Sequence, residues 1–167
     1  MAKETLSNWD GRFKSIAYWW AVGFGSGLMR PAPGTWGSLL GLVFGYGILQ
    51  LPFAFALLLG GAAFVTALSI WSINAIEAAT GVHDAPEIVI DEIAGQWIAM
   101  APLALLPYDW RALALSFVLF RIFDIIKPWP IGPLDKKVSG GFGVMIDDIV
   151  AGIIAALLLT TAMLYLL

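Results

Sequence analysis

The chain has no cysteine, one histidine and few charges: only 13% of its 167 residues are Asp, Glu, Lys or Arg. Without cysteine there are no disulfides, no thiolate nucleophile and no Cys-based metal site. His83, standing alone, cannot build a histidine metal cluster or a two-histidine catalytic pair. With a net charge of −3 and no basic cluster of the kind that tracks phosphates, the sequence carries no nucleic-acid footprint. Residues 1–15 carry Lys3, Arg12 and Lys14 among polar neighbours and lack the apolar core of a signal peptide, so they are expected to stay as a cytoplasmic N-terminal segment. What the sequence has in excess is apolar surface, at 60% hydrophobic residues and a mean hydropathy of +0.86. That balance excludes an ordinary soluble domain and predicts an all-α fold, a polytopic membrane helix bundle, with one membrane-embedded domain over 16–167.

From Ile149 to Leu167 no residue is charged, and such a run rises about 28 Å as a helix, close to the hydrocarbon thickness of a bilayer. The same reasoning predicts about five spans, roughly 37–55, 56–75, 88–106, 111–127 and 147–167, with turns at Leu51-Pro52 and Pro107-Tyr108-Asp109. Ile16 to Leu28 is aromatic and glycine-rich but too short to span, so an interfacial or re-entrant segment is expected there, with Trp19 and Trp20 at headgroup level. Gly37, Gly41 and Gly45 recur every four residues, which predicts a helix face that a neighbouring backbone approaches closely. With the N-terminus inside, this threading puts Lys3, Arg12, Lys14, Arg30, Arg121, Lys127, Lys136 and Lys137 at the cytoplasmic face and Arg111 outside, as the positive-inside rule demands.

The threading also carries four separated segments to one face: 25–38, 83–92, 121–130 and 140–148. In GSGLMRPAPGTWGS, glycines and prolines shape a loop running into a helix start, with Thr35 as the expected N-cap. Exposed amides there favour a phosphate, so Arg30, Thr35 and Ser38 are phosphate-binding candidates; the plainer reading is a loop and its cap. In VHDAPE, Asp84 and Glu87 have the spacing of a capping box, and His83 is read equally well as a hydrogen-bonded loop residue or as a ligand or general acid. Asp91 and Glu92 resist so plain an account, because they fall inside a predicted span. Arg121 and Asp124, three apart, share a helix face and either neutralise each other or present Arg121 to a phosphate oxygen, with Lys127 adding a charge where Pro128 ends the helix. Asp135, Lys136 and Lys137 read as a solvated loop near lipid headgroups.

Asp147 and Asp148 stand at the threshold of the last apolar run, and Gly140, Gly141 and Gly143 allow a non-helical approach in which both reach one ion. Carboxylates are costly near lipid and suggest a cation or a substrate; an ion-pair network is the alternative. Several carboxylates without cysteine or clustered histidine fit a hard divalent cation, most naturally Mg²⁺. The expected metal ligands are Asp91, Glu92, Asp147 and Asp148, with Asp84 as a further candidate.

The segments GFGSGL…PGTWGS, GVHD…IVIDEIAGQW, FRIFDIIKPWPI and GGFGVMIDDIVAG together resemble the bacterial phosphatidylglycerophosphatase A family over roughly 21–155. The resemblance implies a Mg²⁺-dependent, multi-pass enzyme of the bacterial inner membrane that converts phosphatidylglycerophosphate to phosphatidylglycerol and inorganic phosphate. The residues agree by exclusion, since a phosphocysteine needs cysteine, a phosphohistidine route needs a second histidine as acid, and no Asp-x-Asp run is present. Metal-assisted attack by water on a phospholipid remains, with Asp91, Glu92, Asp147, Asp148, Arg121 and Asp124 as catalytic candidates and Arg30, Thr35, Ser38, Arg121 and Lys127 on the phosphate, at the cytoplasmic face. Two alternatives stay open: a CDP-alcohol phosphotransferase-like enzyme, whose spaced acidic pattern is not found here, and a small transporter, which predicts charges along a pathway rather than at one face.

Overall fold

The computed structural model describes residues 4–165, and no strand occurs among them. Seven α-helices follow in order: α1 (Ile16–Ala21), α2 (Pro33–Leu49), α3 (Ala54–Thr80), α4 (Ile90–Met100), α5 (Trp110–Ile126), α6 (Ile131–Lys137) and α7 (Gly140–Tyr165). Short 3-10 turns cover Leu6–Asn8, Arg12–Lys14, Gly23–Leu28 and Ala101–Ala104. Two helices, α3 and α7, are long and apolar enough to cross a bilayer on their own. Helices α2 and α5 have 17 residues each, which is about 25 Å of rise.

The central element is α4, which packs against α2, α3, α5 and α7. Its 11 residues are mostly buried, and the single expected span over 88–106 is in fact this short helix extended by the 3-10 turn at Pro102. Proline removes the N–H that would continue an α-helix, so the change of helix type falls at that point. Glycine lets the neighbours close on α4. A Cβ at Gly37 would meet Val89, one at Gly41 would lie 3.1 Å from Ile93 Cα, and one at Gly45 would lie 2.6 Å from Met100 Sδ, so the four-residue glycine repeat faces α4 as expected. On the opposite side, a Cβ at Gly152 would be 2.5 Å from the Gly95 carbonyl, and one at Gly95 would be 2.7 Å from the Asp148 carbonyl. The backbones of α4 and α7 therefore touch, and this contact sets the Asp91-Glu92 turn beside Asp148.

Several local expectations are corrected. Helix α7 begins at Gly140, not near 147, so Asp147 and Asp148 sit two turns inside a helix and are buried. Its start is held from α3, whose Asn74 Oδ1 accepts the Gly141 N–H at 2.7 Å. Helix α2 begins at Pro33 with Ala32 as N-cap, which leaves Thr35 within the first turn. Proline has no N–H to orphan and its φ suits a first helical position, which explains the earlier start. Asp84 and Glu87 cap no helix, because α4 starts only at Ile90. Residues 135–137 complete α6 instead of forming a loop, and their side chains lie outside what is described.

The N-terminal segment is docked onto the bundle. Leu6 is buried among Tyr18, Ile73, Ile76, Ile88 and Met145, while the buried Glu87 carboxylate accepts from the Thr5 hydroxyl and, at 3.3 Å, from the Leu6 N–H. Trp20 turns inward, its indole N–H donating to Ser69 Oγ at 2.9 Å, whereas Trp19 stays partly exposed.

Candidate active site

A cavity of about 400 Å³ opens at the end of the bundle where α2, α4 and α7 begin and α5 ends. Each wall follows from local sequence. Pro33 and Gly34 bring the first turn of α2 to the rim, and a Cβ at Gly34 would displace the Glu92 carboxylate from its place beside Arg121. The first turn of α4 supplies Asp91 and Glu92. The last turns of α5 supply Arg121, Asp124, Ile125 and Lys127; Lys127 adopts the left-handed conformation that closes the helix, with φ 47°, and Pro128 prevents its continuation. Helix α7 adds Gly143, Val144, Asp147 and Asp148, and the loop before α4 adds His83, Asp84 and Ile88.

Three carboxylates converge. Oxygens of Asp91, Glu92 and Asp148 lie within 4.8 Å of one another. Asp91 Oδ1 accepts the Glu92 N–H at 3.1 Å, but Glu92 Oε2 and Asp148 Oδ2 are buried with no hydrogen-bond partner. Burying a carboxylate oxygen without a donor costs free energy that native structures avoid unless the group serves an ion or ligand. An all-oxygen donor set with two buried oxygens that no hydrogen bond satisfies fits a metal ion.

Positive charge lies on the α5 side. Arg121 Nη1 contacts Asp124 Oδ2, donates to Ser38 Oγ at 3.2 Å and is 4.0 Å from Glu92 Oε1. Ser38 in turn donates to the Gly34 carbonyl at 2.9 Å, which ties the guanidinium to the first turn of α2. Arg121 Nε is buried and has no hydrogen-bond partner. Lys127 Nζ pairs with Asp147 Oδ2 at 2.5 Å, so the adjacent aspartates diverge: Asp148 joins the carboxylate cluster and Asp147 holds the lysine.

The expected site residues are thus mostly gathered, with two exceptions. Asp91, Glu92, Asp147, Asp148, Arg121, Asp124, Lys127 and Asp84 line one cavity, and Ser38 stands behind Arg121. Arg30 is turned to Glu87 at 3.1 Å and does not line the cavity; nor does Thr35. Glu87 is the reason: a buried carboxylate recruits the nearest cation, and no local spacing announces a partner 57 positions away. His83 lines the cavity with Nδ1 3.3 Å from Glu77 Oε2. Sequence reasoning missed the Lys127–Asp147 pair, the Gly34 approach and the apolar wall of Ile88, Ile125 and Val144. Of these, only the Lys127–Asp147 pair had a signal, in Pro128, which fixes where α5 must stop and so where Lys127 stands.

With that geometry in hand, comparison with known proteins is informative. The family model described as Phosphatidylglycerophosphatase A matches residues 19–163. The chain is 45% identical over 139 residues to the Phosphatidylglycerophosphatase A of Escherichia coli, covering 81% of this chain and 77% of that protein. It is 44% identical over 137 residues to the Phosphatidylglycerophosphatase A of Haemophilus influenzae, covering 82% of each. A third relative, the Putative phosphatidylinositol-3-phosphatase of Bacteroides thetaiotaomicron, is 40% identical over 149 residues, covering 84% of this chain and 89% of that protein. No solved structure matches. The matched residues include every wall of the cavity and both helices of the carboxylate cluster, and the chain belongs to the phosphatidylglycerophosphatase A family.

Proposed function

We propose that the protein is a Mg²⁺-dependent lipid phosphatase that hydrolyses phosphatidylglycerophosphate to phosphatidylglycerol and inorganic phosphate. The observation that carries this reading is the meeting of Asp91, Glu92 and Asp148, two of them with open buried oxygens, opposite Arg121 and Lys127 in one cavity of an apolar helical bundle. The names of its relatives give the substrate class, a phosphomonoester on a lipid.

Asp91, Glu92 and Asp148 would hold the cation, with Asp147 and Asp84 at the same cavity wall. A divalent cation bound there neutralises phosphoryl charge and makes a bound water more acidic. The remaining work falls to side chains. Arg121, fixed by Asp124 and Ser38, presents a planar donor to the phosphoryl oxygens, and its buried, unpartnered Nε shows that its donor capacity is not exhausted. Lys127 contributes a point charge, held in place by Asp147. The first turn of α2, whose leading amides lack intrahelical partners, adds the positive end of a helix at Gly34.

The reading extends to topology. Helices α2, α3, α4 with its 3-10 extension, α5 and α7 form five spans of a single domain, residues 16–28 lie at the interface, and the cavity faces the cytoplasm of a bacterial inner membrane, supported by the concentration of Lys and Arg at that end.

The test is phosphate release by purified protein from phosphatidylglycerophosphate, phosphatidic acid and phosphatidylinositol 3-phosphate, each with Mg²⁺ and with excess chelator. Release from the first, abolished by chelator and restored by Mg²⁺, is expected. Turnover that persists in chelator removes the metal from the proposal, and preference for the inositol lipid replaces the substrate.

A further inference from the structure

Among the apolar side chains that line the cavity, Ile88 and Val144 are buried, whereas Ile125 is 67% exposed. Ile125 is therefore both wall and outer surface: the cavity opens past it onto the side of the bundle. It does not stand alone there. Val118, Ile122, Ile125 and Ile126 are all exposed, and their spacing of four, three and one places them on one face of α5. Trp129, in the turn that follows the helix, is 84% exposed as well. The stripe runs about 12 Å from Ile126 down to Val118. The helix is packed through its other sides, against α4 and α7 through Phe120 and Phe123 and against α2 through Arg121 and Ser38.

A ligand that fits this arrangement has a phosphate at one end and a hydrocarbon chain at the other. Its head meets Arg121 and Lys127 inside the cavity; its tail crosses the rim at Ile125 and descends along the α5 face. From this continuity we infer that the outward face of α5, Val118–Ile122–Ile125–Ile126, is the lane by which an acyl chain of the phosphomonoester lipid lies against the protein while its head is in the cavity. The inference rests on the reading of the cavity as a phosphomonoester site. Two further apolar grooves, one between α3 and α7 around Leu59, Ile98 and Ile153 and one around Trp20, Phe44 and Trp97, share no lining residue with the cavity.

Photocrosslinking tests the lane independently of turnover. Phosphatidic acid carrying a diazirine at mid-chain is bound to the full-length protein in chelator, irradiated, and the labelled peptides are identified, with and without excess unlabelled phosphatidic acid; diazirine phosphatidylcholine reports nonspecific contact with bulk lipid. Competable label within 118–126 that phosphatidylcholine does not give is the expected result. Competable label on the α3–α7 groove, or none that is competable on α5, overturns the lane. Kinetics supply the second arm: Ile122→Asn should lower kcat/KM for long-chain substrate roughly three- to tenfold, the scale of a few lost packing contacts, with the penalty shrinking as the acyl chains are shortened. A penalty independent of chain length assigns Ile122 to the fold and counts against the lane. If the wild type releases no phosphate from any lipid, the phosphatase reading falls, yet the crosslinking still decides where a phosphomonoester lipid rests.

Discussion

At the scale of single residues, the proposed site divides into groups that would hold a cation and groups that hold charge in place. Asp91→Asn, Glu92→Gln and Asp148→Asn each remove a charged ligand, so each should shift Mg²⁺ activation to higher concentration and lower the maximum rate; Asp147→Asn should instead loosen Lys127 and change KM more than Mg²⁺ dependence. Mg²⁺ titrations of the four variants check this, and an Asp147 variant that behaves like the other three would merge it into the cation site. Arg121→Lys keeps the charge but cannot span Asp124, Ser38 and a phosphate together, so a loss of roughly a hundredfold in kcat/KM is expected against a mild effect of Lys127→Arg; wild-type turnover by the lysine variant would reduce Arg121 to a partner of Asp124. Sequence made the acids legible, because a carboxylate inside an apolar run has few innocent explanations. It misplaced Arg30, because a cation beside a glycine-rich loop advertises its charge but not its partner, and that partner, Glu87, was read as a cap.

At the scale of elements, the decisive contact is glycine against glycine. Gly152→Val would push α7 from the Gly95 carbonyl and move Asp148 away from Asp91 and Glu92, with a cost of roughly 1–3 kcal/mol for overpacking. Activity should be lost before helicity, as circular dichroism beside the phosphatase assay would show. Gly60→Ala, on α3 with nothing within 4 Å of the added Cβ, should by contrast raise Tm slightly. Where helix ends were misjudged, the cause was local chemistry: Pro33 starts α2 early, Pro102 shortens α4, and Asn74 reaches from α3 to secure α7 at Gly141. The last of these is a tertiary contact and leaves no mark in the sequence around Gly141. Helix α5 opens on a local device, the Asp109 carboxylate accepting the Arg111 and Ala112 N–H groups at 2.8 and 3.1 Å. The Ala112 and Arg111 amides hold that carboxyl below its ordinary pKa. A group depressed on folding stabilises above its unfolded pKa and loses that contribution as pH falls through its folded one. Asp109→Ala should therefore lower Tm at neutral pH, and the gap from wild type should close in acid.

At the scale of the whole molecule, hydropathy foretold a helical bundle, and the four motifs foretold that their residues gather at one end; neither foretold that the short helix carrying Asp91, Glu92 and Gln96 would be the innermost. A cysteine-free chain offers a direct test of orientation. A single cysteine at the exposed Ser139 should escape an impermeant reagent in intact cells, while one at Leu105, 64% exposed at the other end, should react. The reverse pattern turns the cavity outward and ends the cytoplasmic assignment.

The enclosure of α4 also constrains how the molecule is made. Asp91, Glu92 and Gln96 fall within 11 residues, too short and too polar a segment to leave the translocon for lipid on its own. Of the four helices that surround it, α2 and α3 are synthesised before it and α5 and α7 after it. Until α7 emerges, Gly95 has no backbone to rest on and the acids lack their third member. On the proposed five-span topology, α4 waits at the edge of the membrane through the synthesis of about forty further residues, and a nascent chain arrested before Gly140 should leave α4 open to proteases that the finished protein resists.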